Sequence, residues 1–145
     1  MNGMDPLAAL GPEARAFLGD RHLATLSTIG PDGLIHVVTV GFTTHTDGLV
    51  RVITFDGSQK VRNVERDGRA TVAQIGGPPA GRHEWISIAG RAEVLRDPAD
   101  VRLAEDLYGA RYRQPRINPQ RVVIALRPQK ILMSPGLRGE PPAHD

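Results

Sequence analysis

The sequence predicts a mainly β fold made of antiparallel strands. Three observations support this: short apolar and β-branched runs recur along the chain, turn residues separate them, and no long helical segment follows each strand. The chain has 16 Gly and 12 Pro among 145 residues, which favours many turns and short elements. The missing crossover helices argue against a parallel sheet. One domain covering residues 1–145 is expected, with a core from about residue 12 to residue 133 and frayed ends.

The N-terminal half is predicted to contain one short helix and a three-stranded meander. Pro12 fits the first position of a helix, and an apolar stripe at helical spacing follows it. GPDG at residues 30–33 and TDG at residues 46–48 are turn sequences. They separate three predicted strands, His22 to Ile29, Leu34 to Phe42 and Leu49 to Phe55.

The C-terminal half is predicted to contain two more helices and three more strands. Gln59 to Arg66 has valines at helical spacing, and Asp97-Pro98 begins a helix that runs to about Tyr112. The strands are Arg69 to Ile75, Glu84 to Leu95 with a bulge at Gly90, and Arg121 to Met133, followed by a frayed tail from Ser134. Six strands this short either close into a small barrel or leave an edge for a partner to cover.

Composition excludes several classes of function. The chain has no cysteine, so disulfides, thiolate metal sites and cysteine nucleophiles are excluded. His22, His45 and His83 are isolated, and we infer no metal site. No apolar run approaches the roughly 18 residues of a membrane span, and the N-terminus lacks a signal-peptide pattern, so a cytoplasmic protein is expected. No Ser/His/Asp arrangement, Walker loop or paired carboxylates support hydrolysis or nucleoside triphosphate chemistry.

Charge is distributed unevenly along the chain. The net charge is +2, yet the segment from Arg111 to Arg138 contains 7 basic residues and no acid. Such a run could bind anionic ligands, form a solvated basic face or contact a nucleic-acid backbone. Few aromatic residues interleave it, and we expect no nucleic-acid partner. Of the 18 basic residues only Lys60 and Lys130 are lysines, which makes the position of each informative.

The junction between the third strand and the second helix is the strongest candidate for a binding site. A helix N-terminus offers free backbone N–H groups and attracts anions, and Ser58 adds a hydroxyl. Lys60 would lie in the first helical turn, where a cation is disfavoured unless an anion is bound. The pattern indicates a phosphate site, or alternatively a serine that only caps the helix and a lysine that points into solvent.

Three further side chains suit a planar ligand or a structural role. His36 lies in an apolar strand, where it either lines a pocket or is a satisfied structural histidine. Trp85 is the only tryptophan and either stacks on a ligand or fills the core. Gln74 ends the preceding strand and could bind a ring edge. Together with the anion site, these residues predict a planar ligand that carries a phosphate.

Four runs of sequence resemble the pyridoxamine 5′-phosphate oxidase-like split β-barrel family. They are LATLSTIGPDGLIHVVTVGF, RVITFDGSQKVRNVERDGRA, WISIAGRAEV and RYRQPRINPQRVVIAL, and they cover most of residues 22–133. Within the family they are most similar to actinobacterial flavin/deazaflavin oxidoreductases that use coenzyme F420, in the branch of F420-dependent biliverdin reductases. The resemblance implies a six-stranded split β-barrel and a homodimer with two cofactor sites at the subunit interface.

The resemblance also implies which residues bind the cofactor. Strand residues would run beside the ring, namely His36, Val37, Val38, Thr39 and Val40, with Ile53 and Thr54 on the neighbouring strand. The phosphate would be held by Ser58, Gln59, Lys60 and Asn63. Trp85 matches a glutamine that reaches the flavin in the oxidases, and with Gln74 it would act from the partner subunit.

The implied activity is hydride transfer from reduced F420 to a small conjugated substrate, biliverdin to bilirubin, with no dedicated catalytic residue. Solvent or a nearby arginine would give the proton, and the basic run suits a polyglutamate tail or substrate propionates. Two departures from the pattern stand out: the loop from Gly76 to Arg82 is longer, and His36 and Gly41 replace basic residues of the oxidases. The alternatives are an FMN-dependent oxidase or reductase and a non-catalytic flavin- or heme-binding module.

Overall fold

The computed structural model describes residues 5–20, 22–76 and 83–139. In this part of the chain three α-helices and a short 3-10 helix surround a single sheet. The helices are α1 (Pro12–Gly19), α2 (Gln59–Arg66), α3 (Pro98–Arg111) and the 3-10 helix Pro135–Arg138. The strands are β1 (Ala24–Ile29), β2 (Ile35–Val40), β3 (Thr43–Thr44), β4 (Val50–Phe55), β5 (Arg69–Gly76), β6 (Glu84–Leu95) and β7 (Arg121–Met133). The mainly β prediction is confirmed.

The sheet is antiparallel at every pairing and curls into a split barrel. Its strand order is β2-β1-β5-β6-β7-β4-β3. The two edge strands, β2 and β3, are joined by only Gly41 and Phe42, so the sheet bends round until its edges approach at that point. Elsewhere the edges stay apart, because β3 pairs only with Val50 and Arg51 of β4. The rest of β4, from Val52 to Phe55, therefore pairs with β7 alone among the described strands.

The concave side of the sheet forms the core. Alternate residues of each strand point inward, as period-2 side-chain alternation requires. The fully buried aliphatic side chains include Leu26, Val50, Val72, Ile86, Ile88, Ile124 and Leu126. α1 closes one end of the core with Ala14, Phe17 and Leu18, which are the apolar stripe expected from the sequence. Val61 and Val64 of α2 are buried in the same core.

Two expectations about strands need correction. The predicted strand from Leu34 to Phe42 ends at Val40, and Thr43–Thr44 form a separate strand, which gives seven strands instead of six. The cause is a distant tyrosine: the Tyr112 hydroxyl accepts from the Phe42 N–H at 3.1 Å and donates to the Phe42 carbonyl at 2.9 Å. Those two backbone groups are satisfied by a side chain, so no strand ladder is needed there.

The expected frayed tail from Ser134 is wrong for the described residues. The Ser134 N–H donates to the Trp85 carbonyl at 3.0 Å, and Leu137 of the 3-10 helix is 5% exposed within the core. An apolar side chain so close to the end of β7 can reach α1, and its burial fixes the segment. The bulge expected at Gly90 is confirmed by a register shift between Ala89 and Gly90 in the pairing of β6 with β7. A Cβ at residue 90 would lie 2.0 Å from the Arg127 carbonyl oxygen, so glycine is required there.

Candidate functional site

The start of α2 leaves its first backbone N–H groups without a side-chain cap. Gly57, with φ of +84°, turns the chain out of β4, and Ser58 occupies the N-cap position. The Ser58 hydroxyl makes no cap hydrogen bond and lies 3.4 Å from the Thr54 hydroxyl. The alternative in which Ser58 only caps the helix is therefore wrong. The positive end of the helix dipole stays available to an anion.

Lys60 lies beside these N–H groups and is not simply solvated. Its Nζ is 5.7 Å from the centroid of the Phe55 ring, and it forms no ion pair with any residue that the structure describes. The first turn of α2, all of it described, contains no acid. Partial burial lowers the pKa of Lys60 below its usual range, because burial disfavours the charged form. An anion bound at the helix start would offset two costs of the Lys60 charge: its partial burial and its position at the positive end of the helix dipole.

A buried amide holds α2 against the sheet. The Asn63 amide nitrogen donates to the Thr28 hydroxyl at 3.0 Å, and Asn63 Oδ1 accepts from Gln59 Nε2 at 2.8 Å. Asn63 is 0% exposed. The structure thus brings Ser58, Gln59 and Lys60 together at the helix start but places Asn63 underneath them, where it positions Gln59.

An ion-pair network braces the same loop from outside. Arg96 binds Asp56 at 2.9 Å and Glu65 at 3.0 Å, linking the segment before α2 to the end of that helix. Arg96 holds the pKa of Asp56 below its usual range. This pair has no signature in the sequence, because Arg96 lies 40 residues after Asp56 and no local pattern connects them.

β2 presents its predicted site residues on two faces. His36, Val38 and Val40 are half-buried on the inner side, whereas Val37 and Thr39 are exposed on the outer side. His36 pairs in register with Thr28, which binds Asn63 of α2. The His36 Nδ1 atom is buried and has no hydrogen-bond partner among the described residues. His36 is therefore not a fully satisfied structural histidine.

The end of β4, which pairs only with β7 among the described strands, forms one wall of a cavity of about 320 Å³. Ile53 and Thr54, both predicted to contact the ring, line it together with Phe55. Tyr108 of α3 and the loop from residue 113 to residue 118 form the opposite wall. Tyr108 packs against Tyr112 with ring centroids 4.8 Å apart and ring planes tilted by 41°, and both rings lie next to Gly41, just after β2. The cavity thus lies between the predicted ring-binding residues and the basic loop.

Gln74 and Trp85, expected to act together, lie on opposite faces of the sheet. Gln74 is 0% exposed; its amide donates to the Phe17 carbonyl at 2.8 Å and accepts from Arg111 at 2.9 Å. Trp85 is 41% exposed on the outer face, opposite Ile75. Only Trp85 of the two is available to a ligand or to a second chain in this arrangement.

Trp85 belongs to an outer surface whose central residues carry no charge, which we call the neutral face; Arg69 of β5 lies at its margin. It is formed by alternate residues of four adjacent strands. Its members are Thr25, Ser27, Ile29, Ile35, Val37, Thr39, Thr71, Ala73, Ile75, Trp85, Ser87 and Ala89. Ile35, Val37 and Ile75 are each more than half exposed. A patch of this kind marks an interaction surface.

Arg111 fills the space behind Gln74. Its guanidinium stacks on Phe42 at 4.6 Å and donates to the carbonyls of Phe42 and Asp20, each at 2.6 Å. Burial lowers the pKa of Arg111, since no carboxylate contacts it among the described residues. This first member of the basic run is a structural clamp, which joins the end of α3 to β5 and to the connection between β2 and β3.

The described residues contain neither a cluster of metal-ligating side chains nor a membrane-spanning helix. No three His, Asp or Glu side chains in this part of the chain come together as a metal site. None of the described helices combines the length and apolar character of a membrane span.

Known proteins similar to this chain identify its family. The family model described as pyridoxamine 5′-phosphate oxidase matches residues 10–134. The chain is 46% identical over 132 residues to the F420H(2)-dependent biliverdin reductase of Mycobacterium tuberculosis (strain CDC 1551 / Oshkosh), covering 88% of this chain and 90% of that protein.

Solved structures share the fold. The conserved hypothetical protein Rv2991 from Mycobacterium tuberculosis superposes with a TM-score of 0.73 at 24% identity, covering 83% of this chain and 81% of that one. A structure named F420 Reductase superposes with a TM-score of 0.67 at 22% identity, covering 81% of this chain and 94% of that one. At these identities the likeness concerns the split-barrel fold. With the family match over most of its length, the chain belongs to the pyridoxamine 5′-phosphate oxidase family.

Proposed function

We propose that this protein is an F420-dependent oxidoreductase that transfers hydride from reduced deazaflavin to a conjugated acceptor, converting biliverdin to bilirubin. The observation that carries the proposal is the half-buried Lys60, unpaired among the described residues, at the uncapped start of α2. The 46% identity to a protein named F420H(2)-dependent biliverdin reductase supports the choice of cofactor and acceptor.

The residues at the helix start fit a phosphate group. The first-turn N–H groups and the Ser58 hydroxyl would donate hydrogen bonds to phosphate oxygens, and Lys60 would supply the positive charge. Gln59, held by Asn63, would be fixed at the same position. The Arg96 network would keep the loop from moving when the anion binds.

The ring of the cofactor would lie against β2 and the end of β4, which pairs only with β7 among the described strands. His36 to Val40 supply the edge strand, and Ile53 and Thr54 supply the wall of the cavity. When bound, the reduced deazaflavin supplies a hydride to the acceptor. The chain would bind and orient the cofactor and the acceptor and exclude water from the site. Solvent or a nearby arginine would give the proton.

The tyrosine pair favours a deazaflavin over FMN at this site. In the oxidases that the sequence resembles, basic residues line the first flavin strand, and Gly41 stands at one such position here. A Cβ at residue 41 would be 3.2 Å from the Tyr112 ring, so Tyr112 and Tyr108 occupy the space that a long basic side chain needs. The basic residue of the oxidases therefore has no room while the tyrosines stay in place.

The proposal is tested by titrating the purified protein with F420 and with FMN, and by mixing reduced F420 with biliverdin. We expect F420 to bind, and we expect one molecule of reduced F420 to be oxidised for each molecule of bilirubin formed. Tight FMN binding without affinity for F420 would instead favour an FMN-dependent oxidase or reductase. Binding of heme or flavin without turnover of biliverdin would favour a non-catalytic module.

We also infer that the protein is a homodimer with its cofactor sites at the interface. The neutral face is large, uncharged and continuous with edge strand β2, which can pair or pack against a second copy. Trp85 on this face would then approach the partner's cofactor, as the resemblance implies.

Sedimentation velocity tests the dimer. Ala73→Lys places a charge at the centre of the neutral face, and we expect it to shift a dimer toward monomer. Gln120→Lys, which adds the same charge at an exposed loop position elsewhere, is the control and should leave the dimer intact. A wild-type monomer, or an Ala73→Lys protein that stays dimeric and folded, would exclude this interface.

A further inference from the structure

We propose that Arg113 and Arg116 bind the carboxylates of the acceptor in the cavity beside β4. The inference rests on the proposed function and adds to it the residues that would recognise the carboxylates of a planar acceptor. Guanidinium groups recognise carboxylates through paired hydrogen bonds, so two of them near one cavity favour a ligand with more than one carboxylate.

The two arginines differ from Arg111 and Arg121, two other basic residues of the run from Arg111 to Arg138. Arg111 is used as a clamp, and Arg121 pairs with Glu105 at 2.8 Å. Arg113 and Arg116 line the cavity, are exposed, and form no ion pair with any described residue. Their charges are therefore free for a ligand.

The rest of the cavity suits a flat conjugated body. The Tyr108 ring lies on one side, and Ile53 and Phe55 give an apolar surface on the other. Within the described part of the chain no acid lines the cavity, so an anionic ligand meets no repelling carboxylate. A volume of about 320 Å³ with an open mouth would hold one end of a tetrapyrrole and leave the remainder at the entrance.

Position favours the acceptor over the tail of the cofactor as the source of the carboxylates. Ile53 and Thr54, which the proposed function places against the ring, line this cavity. The glutamate tail of F420 continues from the phosphate on the side away from the ring, and the phosphate is assigned to Ser58 and Lys60. The acceptor must lie against the ring to receive hydride, so its carboxylates fall within the cavity.

The test compares the double variant Arg113→Gln/Arg116→Gln with wild type, both saturated with oxidised F420. Binding of biliverdin and of biliverdin dimethyl ester is measured by titration, which does not depend on turnover. We expect the Kd of biliverdin to rise about 10- to 100-fold, as expected for two charge-assisted contacts. The Kd of the dimethyl ester and the Kd of F420 should stay within about twofold of wild type.

Arg127→Gln is the matched control, since Arg127 is an exposed arginine of the same run and lies opposite Arg91 on the β6–β7 ladder, outside the cavity. Equal biliverdin affinity in the double variant would overturn the inference. So would a loss of F420 affinity with unchanged biliverdin binding, which would assign the arginines to the cofactor tail. If wild type binds biliverdin through these arginines but does not reduce it, the proposed function fails and the carboxylate site stands.

Discussion

Arg111 and Lys60 are both partly buried cations, but their surroundings differ. Arg111 has an aromatic ring on either side and donates to three protein oxygens. Lys60 has one aromatic ring at 5.7 Å and no ion-pair partner among the described residues. Burial lowers the pKa of both side chains. The pKa is thus lowered in both residues, but Arg111 has protein hydrogen-bond partners for its charge and Lys60 has no ion-pair partner among the described residues.

The comparison teaches how to separate structural from functional cations. Burying a charge is costly unless hydrogen bonds or an opposite charge compensate it. Arg111 is compensated within the protein, so its removal should cost stability. Lys60 lacks that compensation, so its removal should cost ligand binding and leave the fold intact.

Replacing Arg111 gives the largest expected effect. Arg111→Met keeps much of the side-chain volume but removes the guanidinium donor from the Gln74 amide oxygen and the Asp20 carbonyl, and one of the two donors to the Phe42 carbonyl. We expect the free energy of unfolding to fall by about 2–4 kcal/mol, measured by urea denaturation. Arg113→Met, an exposed neighbour, is the control and should change it by less than about 0.5 kcal/mol. Equal stability of both variants would show that the clamp adds nothing.

Removing Lys60 gives the next effect. Lys60→Ala should weaken F420 binding about 10- to 100-fold, because a charge-assisted contact to phosphate is lost. The thermal unfolding temperature without ligand should stay the same or rise slightly, since an uncompensated charge has been removed. Arg127→Ala serves as the control for a simple loss of positive charge. Unchanged F420 affinity in Lys60→Ala would remove the basis of the phosphate site.

The smallest effect concerns pH. Because the pKa of Lys60 is lowered in the ligand-free protein, its charge is lost as pH rises through a value below the usual lysine range. A bound phosphate favours the charged form, so affinity should be full at neutral pH and decline in alkaline solution before an ordinary lysine would titrate. Lys60→Arg keeps its charge and should show a flatter profile. Identical profiles for both proteins would mean that Lys60 does not titrate against the ligand.

Sequence patterns predicted those parts of the structure that depend on local order. The bounds of α2 and β7, the start of α1 and the bulge at Gly90 are all confirmed, since each follows from periodicity or from Gly and Pro positions. The helix start at Ser58 is confirmed for the same reason, and the anion site there stays a prediction. Its residues are consecutive, and a helix start has a local signature.

Features that depend on distant contacts were missed or misjudged. The interruption between β2 and β3 depends on the Tyr112 hydroxyl, 70 residues away from Phe42. The burial of Asn63 depends on Thr28, 35 residues earlier. The separation of Gln74 from Trp85 depends on register, because Gln74 pairs with Ile86 and therefore faces the core while Trp85 faces outward. No local pattern carries this information.

β2 has a consequence for how cofactor affinity should be measured. In the proposed site His36 to Val40 of this edge strand run beside the cofactor ring, and Ile35, Val37 and Thr39 also belong to the neutral face. In the proposed dimer this one strand takes part both in F420 binding and in dimerisation, so the two equilibria are linked by mass action. Diluting the protein would lower its apparent affinity for F420, and saturating it with F420 would stabilise the dimer at lower protein concentration. An affinity measured at one protein concentration would then describe that concentration alone.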